Sequence, residues 1–171
     1  AKPWCNLTGI GEQRDRFLRE SLIELKQDLQ DLGQDLLVLE GSPELVIPHF
    51  VERYGITEIS VSDHPGWEEK QSLSYLAGKL PIPIQIHRGN SLFTETDLPM
   101  ELEDFPKVFS PFRRKAEKLN VRGPKAAPEQ LPPPPSAQFD AIPPSMNKPH
   151  PGLPIPGGRR AGLRRLKQFI W

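Results

Sequence analysis

The sequence predicts an α/β fold: a parallel sheet flanked by helices, of the open Rossmann-like or flavodoxin-like kind. Segments with apolar residues at helical spacing alternate with short aliphatic runs that are typical of strands. Gly33, Gly55 and Gly78 recur 22 and 23 residues apart, which is about one helix–strand unit per step. Only three strand-like runs occur, fewer than the roughly five or six strands of most doubly wound sheets, so the sheet is predicted to be partial.

A first helix is predicted from about residue 12 to Gly33, because glycine commonly follows the last residue of a helix. The continuous apolar run Leu36–Leu39 then predicts a strand that is covered on both faces. The apolar residues of the helix recur at steps of three and four and so lie on one face: Phe17, Leu18, Leu22, Leu25, Leu29 and Leu32.

Ser42-Pro43-Glu44 predicts the start of a second helix, since Ser42 can cap free amides and Pro43 suits the first turn. Gly55 predicts the end of this helix. Residues 57–62 (TEISVS) follow as the second predicted strand. The predicted buried face of the helix consists of apolar residues at helical spacing: Val46, Ile47, Phe50, Val51 and Tyr54.

A third helix is predicted over residues 67–77, burying Leu73 and Leu76, with Gly78 behind it. Residues 82–86 (IPIQI) predict the third strand. The prolines in this strand favour a position at the edge of the sheet, because proline has no backbone N–H to donate.

Proline and charge are distributed unevenly along the 171 residues. Twelve of the 21 prolines lie within residues 121–160, which predicts an extended, polyproline-like connector. The net charge is −6 over residues 1–120 and +6 over the remainder. These shifts predict three parts: an incomplete α/β domain (1–119), a Pro-rich interdomain linker (120–156) and a terminal helix (157–171).

Composition excludes several classes of protein. The 22 basic and 22 acidic residues exclude a uniformly basic nucleic-acid binder and a strongly acidic protein. A single cysteine, Cys5, excludes an internal disulfide and a CxxC zinc site, and we interpret it as a passive thiol. With no membrane-length apolar run and no secretion signal, we expect an intracellular protein without membrane contact, most simply a cytoplasmic one, with an organelle left open.

Common catalytic and nucleotide-binding motifs are absent from the sequence. No GxGxxG follows a strand, and neither a phosphate-binding P-loop nor a GxSxG nucleophile elbow occurs. No metal site is predicted, because none of the four histidines pairs with another at the spacing of metal ligands: His49, His64, His87 and His150.

The loop after the second predicted strand is the first candidate site. In open α/β sheets, ligands bind outside the carboxyl ends of the strands, which is where Ser62–Trp67 is expected to lie. Trp67 offers a ring for stacking, and Glu68 and Glu69 open the following helix. Acidic residues in a first helical turn also stabilise the helix dipole without any ligand, so a purely structural role stays open.

A second candidate region is FPKVFSPFRRK at residues 105–115. Phenylalanines cluster around two prolines and are followed by three basic residues. One interpretation is a domain interface built by Phe109, Pro111, Phe112 and Arg113. The other is a hydrophobic cover over the sheet followed by a solvated basic turn. The residues favour neither interpretation over the other.

The basic residues of the terminal helix could contact nucleic-acid phosphates. The same helix carries apolar residues that include Leu163, Leu166 and Phe169, and it ends at Trp171. This apolar face favours a helix that packs on a further domain over a DNA-binding tail. The basic residues are Arg159, Arg160, Arg164, Arg165 and Lys167.

Several segments together resemble the N-terminal α/β domain of the DNA photolyase/cryptochrome family, with the DASH branch the most similar. Ser110 stands where that family more commonly has threonine, and Arg159-Arg160 where acidic residues usually follow the glycine pair. The segments are RFLRESL (16–22), LGQDLLVLEGSPE (32–44), TDLPMELEDFPKVFSPFRRKAEK (96–118) and GGRRAGLRRLKQFIW (157–171).

The resemblance implies an antenna domain that helps to hold a light-harvesting chromophore, often methenyltetrahydrofolate. Glu69 best matches the acidic residue that contacts the pterin in folate-binding members, with Glu68 as the alternative and Trp67 beside them. The resemblance places FAD, and the electron transfer to a pyrimidine dimer, in a C-terminal helical domain that this sequence lacks. No catalytic residue is therefore carried over, and contact with DNA is expected only through the parent protein.

Two function hypotheses follow. In the first, the chain is part of a photolyase/cryptochrome flavoprotein that repairs DNA or senses blue light, truncated at both ends and inactive alone. Its partners would be the flavin domain and two completing strands, because the family's first two strands have no counterpart here. In the second, the chain is a stand-alone α/β interaction or small-ligand-binding module, for example a homodimer that exchanges strands.

Overall fold

The computed structural model describes residues 10–137, 139–148 and 155–171, so the expectations for Cys5 and His150 lie outside the described residues. Two short 3-10 turns, Glu95–Asp97 and Leu102–Asp104, accompany the regular elements. In chain order these are α1 (Glu12–Asp31), α2 (Pro43–Tyr54), β1 (Ile59–Ser62), α3 (Trp67–Lys79), β2 (Ile84–His87), α4 (Phe109–Ala116) and α5 (Arg159–Ile170).

The chain divides into two compact units. The first joins Ala1–Glu40 with Ala127–Trp171, and therefore contains α1, α5 and much of the proline-rich segment. The second, Gly41–Ala126, contains both strands with α2, α3 and α4. The domain boundaries predicted from composition stay predictions.

The second unit confirms the predicted parallel α/β arrangement. β1 and β2 pair in parallel, with Ile59 opposite Ile84 and Ser62 opposite His87. Helix α3 connects the two strands, as a parallel pair requires. Helices α2 and α3 contact each other, and each contributes one buried aliphatic side chain to the core: Val51 and Leu76.

The prediction of a strand at Leu36–Leu39 is wrong. The segment has no assigned secondary structure, and the side chains of Val38 and Leu39 are 41% and 45% exposed. Within the described residues, no ladder of hydrogen bonds pairs this segment with β1 or β2. An apolar run supplies strand propensity, but a strand also needs a neighbouring backbone with which to pair.

Proline sets the end of α3 and the start of β2. Helix α3 runs through Gly78 to Lys79, so the prediction that Gly78 follows the helix is wrong. Leu80 instead adopts an extended backbone, with ψ of 139°, as expected of a residue before proline. β2 begins at Ile84, immediately after Pro83, whose carbonyl accepts a hydrogen bond from the N–H of Ile59.

Helix α2 begins and ends where predicted, but not with the predicted cap. The Ser42 hydroxyl donates a hydrogen bond to the Glu44 carboxylate and caps no backbone amide. Gly55 adopts a left-handed conformation, with φ of 58°, and ends the helix. Of the apolar face predicted for α2, only Val51 is buried, and its other members are half-buried.

Helix α1 buries less apolar surface than its spacing predicts. Phe17 and Leu18 are 42% and 37% exposed, and the buried residue of the helix is Arg16. Gly33 has φ of 87° and donates its N–H to the carbonyl of Gln30, which closes the end of the helix. The position of Gly33 at the end of α1 is therefore as predicted, whereas the buried apolar face is not.

The proline-rich segment of the first unit lies along α1. The N–H of Leu131 donates to the carbonyl of Leu32 at the C-terminal end of the helix, over 2.8 Å. Near the N-terminal end, the Ser145 hydroxyl donates to the Asp15 carboxylate over 2.9 Å. The segment between these contacts is thus held at both ends of α1.

Helix α5 starts against the polar face of α1. Its first turn packs closely enough to bury Ala161, whereas the residues that follow Ala161 are exposed. Side chains of α1 accept three backbone N–H groups there: Glu20 from Gly157 (2.6 Å), Ser21 from Gly158 (2.9 Å) and Glu24 from Arg160 (2.8 Å).

Candidate functional site

A cleft of about 400 Å³ opens in the second unit where the two strands end. It lies beside the residues that directly follow β1 and β2, at the carboxyl edge of the sheet, where open α/β folds bind ligands. The residues of its lining whose side chains carry charge, hydrogen-bonding groups or an aromatic ring are Asp63, Lys70, Arg88, Asn90, Ser91, Phe93 and Thr94.

Backbone pairing continues one residue past the strands and joins the two loops that form the cleft. The N–H of Asp63 donates to the carbonyl of His87 over 2.8 Å. The side-chain amide of Asn90 donates to the carbonyl of Asp63. The loop after β2 is therefore attached directly to the loop after β1.

The far wall of the cleft is stabilised by its own hydrogen bonds. The N–H and hydroxyl of Thr94 both donate to Asp97 Oδ2 over 2.7 Å, and the Ser91 hydroxyl donates to the carbonyl of Phe93 over 2.5 Å. The Thr94 hydrogen bonds, and then the nearby charge of Arg122 at 3.1 Å, hold the pKa of Asp97 below its ordinary value. The carboxylate of Asp97 thus stays ionised and fixes this loop.

The cleft combines two cations with one carboxylate. Lys70 extends from the first turn of α3, and Arg88 is the first residue after β2. Asp63, which is half-buried, provides the carboxylate. Such a site can pair the ammonium group of Lys70 with an anionic group and accept hydrogen bonds from N–H donors at Asp63.

The predicted antenna residues lie at the start of α3, outside the lining of the cleft. Trp67 is 73% exposed, and Glu68 and Glu69 are exposed as well. Glu69 Oε2 is 3.6 Å from His64 Nδ1, which accepts a hydrogen bond from the N–H of Gly66. Trp67 and Glu69 are about 200° apart around the helix axis, so they do not share one face of α3.

The predicted interface residues lie on α4, a helix that the sequence analysis did not predict. The ring of Phe112 is 4.9 Å from that of Phe105 and 6.2 Å from that of Phe109. Phe109 is 67% exposed, Pro111 is half-buried, and Arg113 pairs with a glutamate on the next turn. The structure therefore brings these residues together on one short helix, and their role as an interface stays a prediction.

The basic residues of α5 do not form one free patch. Arg160 pairs with Asp28 and lies 3.8 Å from a carboxylate oxygen of Glu24 on α1. The apolar residues Leu163 and Leu166 are 48% and 52% exposed. One of the basic side chains is thus already engaged within the first unit.

Sequence reasoning placed a site at this edge of the sheet but missed three residues that line it. Asp63 follows β1 directly, and Arg88 follows β2 directly. The signal was present, because the predicted strand ends at 62 and 86 already put these residues at the same edge. Lys70 carries no such signal, because a lysine after two acidic residues in a first helical turn is equally typical of a solvated helix surface.

The described residues, 10–137, 139–148 and 155–171, contain neither a metal-ligand cluster nor a membrane-spanning helix. No three side chains of His, Cys, Asp or Glu cluster there as metal ligands would. No helix in this part of the chain combines the length and apolarity needed to cross a bilayer.

Comparisons with known proteins agree on one family. The family model for DNA photolyase matches residues 2–135. A protein named cryptochrome DASH from Gloeobacter violaceus is 33% identical over 94% of this chain, and so is one from Synechocystis. The chain spans 35% of the length of each of these relatives.

Solved structures show the same fold. The crystal structure of the Synechocystis cryptochrome matches with a TM-score of 0.80 and 32% identity, over 94% of this chain and 36% of that one. A class III photolyase from Agrobacterium tumefaciens matches with a TM-score of 0.73 at 18% identity, over 96% of this chain and 37% of that one. The second match concerns the fold alone.

Proposed function

Because this chain belongs to the DNA photolyase family, we propose that it forms the antenna-chromophore part of a cryptochrome-DASH-like flavoprotein. In this proposal it holds a folate-type chromophore, such as methenyltetrahydrofolate, at the carboxyl edge of its sheet. The protein works inside the cell, and this chain supplies no catalytic residue.

The observation that carries this proposal is the cleft where β1 and β2 end. A pterin presents an amide N–H and an amino group on one edge, and a carboxylate accepts both. Asp63 offers a carboxylate at the cleft, and Phe93 offers an apolar ring beside it. The cleft volume of about 400 Å³ admits a fused bicyclic ring. The residues present therefore fit a folate-type group.

Glu69 contacts the edge of the chromophore from the first turn of α3 in this proposal, with Glu68 as the alternative. This role of Glu69 is supported by its position next to His64, a residue of the loop that leads from Asp63 into α3. Trp67 offers a ring for stacking on the outer face of the helix. A bound folate-type antenna would supply light absorption and energy transfer to the flavin.

The remaining activities belong, in the same proposal, to the rest of the flavoprotein. FAD and any light-dependent DNA repair or signalling reside in a helical domain, and DNA is contacted only through the whole protein. Phe109, Pro111, Phe112 and Arg113 on α4 form the docking surface for that domain. The support is the largely exposed ring of Phe109 at the edge of an aromatic cluster.

Titration of the purified chain with 5,10-methenyltetrahydrofolate tests the proposed binding. We expect saturable binding, visible as a red shift in chromophore absorbance, and about tenfold weaker binding by Glu69→Gln, since a charged acceptor is lost. Glu52→Gln, an exposed change on α2, serves as the matched control. Absence of binding by a wild-type chain that melts cooperatively would overturn the proposal.

A second candidate function is a homodimer that completes its sheet by strand exchange. The observation that favours it is that β1 pairs only with β2 among the described residues, which leaves the other edge of β1 open. Light scattering coupled to gel filtration distinguishes a monomer from a homodimer. A concentration-independent dimer supports this candidate, and a monomer at every concentration contradicts it.

A further inference from the structure

We propose that Ser110, at the start of α4, is a serine phosphorylation site whose phosphate is bound by Arg113 and Arg114. The chain reads Ser-Pro-Phe-Arg from this serine onward. A proline directly after the serine and a basic residue two positions further on are features that proline-directed protein kinases select, in part through charge. The modification itself does not depend on the antenna proposal.

The hydroxyl group of Ser110 is open to an enzyme. Ser110 is exposed, and its hydroxyl makes no hydrogen bond with any of the described residues. Val108, which precedes α4, has an extended backbone with φ of −122°. Ser110 lies in the first turn of α4 before Pro111, and a proline disfavours the helical conformation of the residue that precedes it. The first turn of α4 therefore opens readily into the extended conformation that a kinase binds.

Two arginines flank Ser110 one turn further along the helix. Side chains three and four residues apart are neighbours on a helix surface, which places Arg113 and Arg114 on either side of Ser110. The Arg114 side chain already reaches back, because its Nε donates to the carbonyl of Ser110 over 3.4 Å. Arg113 is 3.3 Å from Glu117 in an exposed ion pair, and such pairs are weak. Both guanidinium groups can thus turn to a phosphate and bind it through paired hydrogen bonds.

The charge of α4 also favours a phosphate at this position. A phosphoserine carries a charge of about −1.5 to −2 at pH 7. Helix α4 contains three cations, Arg113, Arg114 and Lys115, and no acidic residue. Within the described part of the chain, neither Arg114 nor Lys115 forms an ion pair. Phosphorylation would change the charge of the docking surface that begins at Phe109, a consequence that rests on the function proposed for α4.

The modifying reaction is a phosphoryl transfer from ATP, catalysed by the kinase. The hydroxyl oxygen of Ser110 attacks the γ-phosphorus of ATP. A bond forms between Oγ and phosphorus, the bond from that phosphorus to the bridging oxygen breaks, and ADP leaves. The hydroxyl proton passes to the catalytic aspartate of the kinase.

A second Ser-Pro pair in the chain provides an internal control. Ser42 is followed by Pro43, but the third residue after this serine is Leu45 rather than a cation. The Ser42 hydroxyl also donates a hydrogen bond to the Glu44 carboxylate. We therefore expect a proline-directed kinase to modify Ser110 in preference to Ser42.

Treatment of the full chain with ATP and a cyclin-dependent kinase tests the site. We expect mass spectrometry to find phosphate on Ser110 at an initial rate at least about tenfold above that on Ser42. Ser110→Ala should remove this modification, and Arg113→Gln should slow it several-fold, whereas Lys118→Gln, an exposed change after α4, should not. A control peptide confirms that the kinase is active. Absence of phosphate on Ser110, or equal rates at the two serines, overturns the proposal.

Phosphorus NMR of the phosphorylated chain tests whether the arginines bind the phosphate. We expect the second pKa of the phosphoserine to lie below its usual value of about 6, because neighbouring cations favour the dianion. Arg114→Gln should raise this pKa again, and Lys118→Gln should leave it unchanged. A pKa near the usual value in the wild type and both variants contradicts binding by the arginines. Neither experiment uses a chromophore, so failure of this site and failure of the antenna proposal are separate results.

Discussion

Arg16 is the buried residue of α1, although it lies outside the apolar face that the residue spacing predicts. Its side chain is 5% exposed, one guanidinium nitrogen donates to Glu20, and another donates to the carbonyl of Ile155, each over 2.8 Å. The long aliphatic stem of arginine packs as an apolar residue while its planar head satisfies two acceptors. Apolar periodicity alone therefore could not identify the residue that α1 buries most.

Glu44 makes the stability of the second unit depend on pH. Hydrogen bonds from Ser42, and then from Ser72 on α3, lower the pKa of Glu44 to about 2 from its ordinary value of 4.5. Because the folded pKa lies below the unfolded one, the stabilisation is complete above pH 4.5 and is lost as pH falls toward 2. We expect Glu44→Gln to melt at a lower temperature than wild type at pH 6, with the difference vanishing toward pH 2.

Thermal unfolding followed by circular dichroism between pH 6 and pH 2.5 checks this prediction. Glu52→Gln on the same helix is the control, because Glu52 makes no hydrogen bond or ion pair with the described residues. A melting-temperature difference between Glu44→Gln and wild type that stays constant across the range would contradict the assigned role of the two serines.

The start of α5 depends on an acceptor supplied by another helix. Gly158 precedes α5 without a side-chain cap, and Glu24 of α1 instead accepts the N–H of Arg160 over 2.8 Å. We expect Glu24→Ala to cost about 1 kcal/mol, the usual effect of losing a helix cap, and to speed hydrogen exchange in the first turn of α5. Glu24→Gln, which keeps an acceptor oxygen, should retain most of the protection. Equal exchange in the wild type and both variants would count against the cap.

The contact between α1 and α5 also requires a residue without a side chain at position 157. A Cβ added to Gly157 would lie 2.2 Å from the carbonyl oxygen of Phe17, a backbone atom that cannot turn away. We expect Gly157→Ala to destabilise the protein by about 1–3 kcal/mol in urea denaturation. Gly162→Ala on α5, with open space at its Cβ, should stabilise it by up to about 1 kcal/mol. Similar effects of the two variants would refute the argument.

Elements that the local spacing of residues determines could be predicted from the sequence. An element that depends on a pairing partner elsewhere in the chain could not. Helices α1, α2 and α3 lie within about two residues of their predicted limits, because periodicity and turn residues are local signals. Leu36–Leu39 carries the residues of a strand, but no ladder pairs it in the described part of the chain. Helix α4 was not predicted from the sequence, although Pro111, as the third residue of the helix, lies in the first turn, where proline is tolerated.

At the scale of the whole molecule, hydrogen bonds hold the proline-rich segment against α1. Asp15 accepts hydrogen bonds from Arg19, Ser145 and Asn147, and the bond from Arg19 is the main cause of its lowered pKa. We expect Asp15→Ala to accelerate cleavage by proteinase K within residues 139–148 several-fold, because two anchors of the segment are lost.

Mapping the cleavage sites by mass spectrometry measures this effect. Asp31→Ala near the other end of α1 is the control, since Asp31 accepts a hydrogen bond only from Gln27 within the described residues. Unchanged cleavage in Asp15→Ala would mean that the proline-rich segment holds its place without these contacts.

The position of the cleft could be predicted from the sequence, but the side chains that line it could not. Strand ends identified from aliphatic runs put the ligand edge of the sheet near Ser62, and the cleft lies there. Which side chains line it depends on the loop after β2, whose fold follows from the hydrogen bonds of Asn90 and Thr94. The contact of Asn90 with Asp63 joins residues 27 positions apart in sequence, and neither contact leaves a periodic signal.

The two hydrogen bonds that fix Lys148 and Ile155 to α1 lie one helical turn apart. The carbonyl of Lys148 accepts from Gln13, and that of Ile155 accepts from Arg16. Both acceptors are backbone carbonyls, so neither contact depends on which side chain stands at position 148 or 155. Evolution can therefore vary these two side chains while the same pair of hydrogen bonds to α1 is kept.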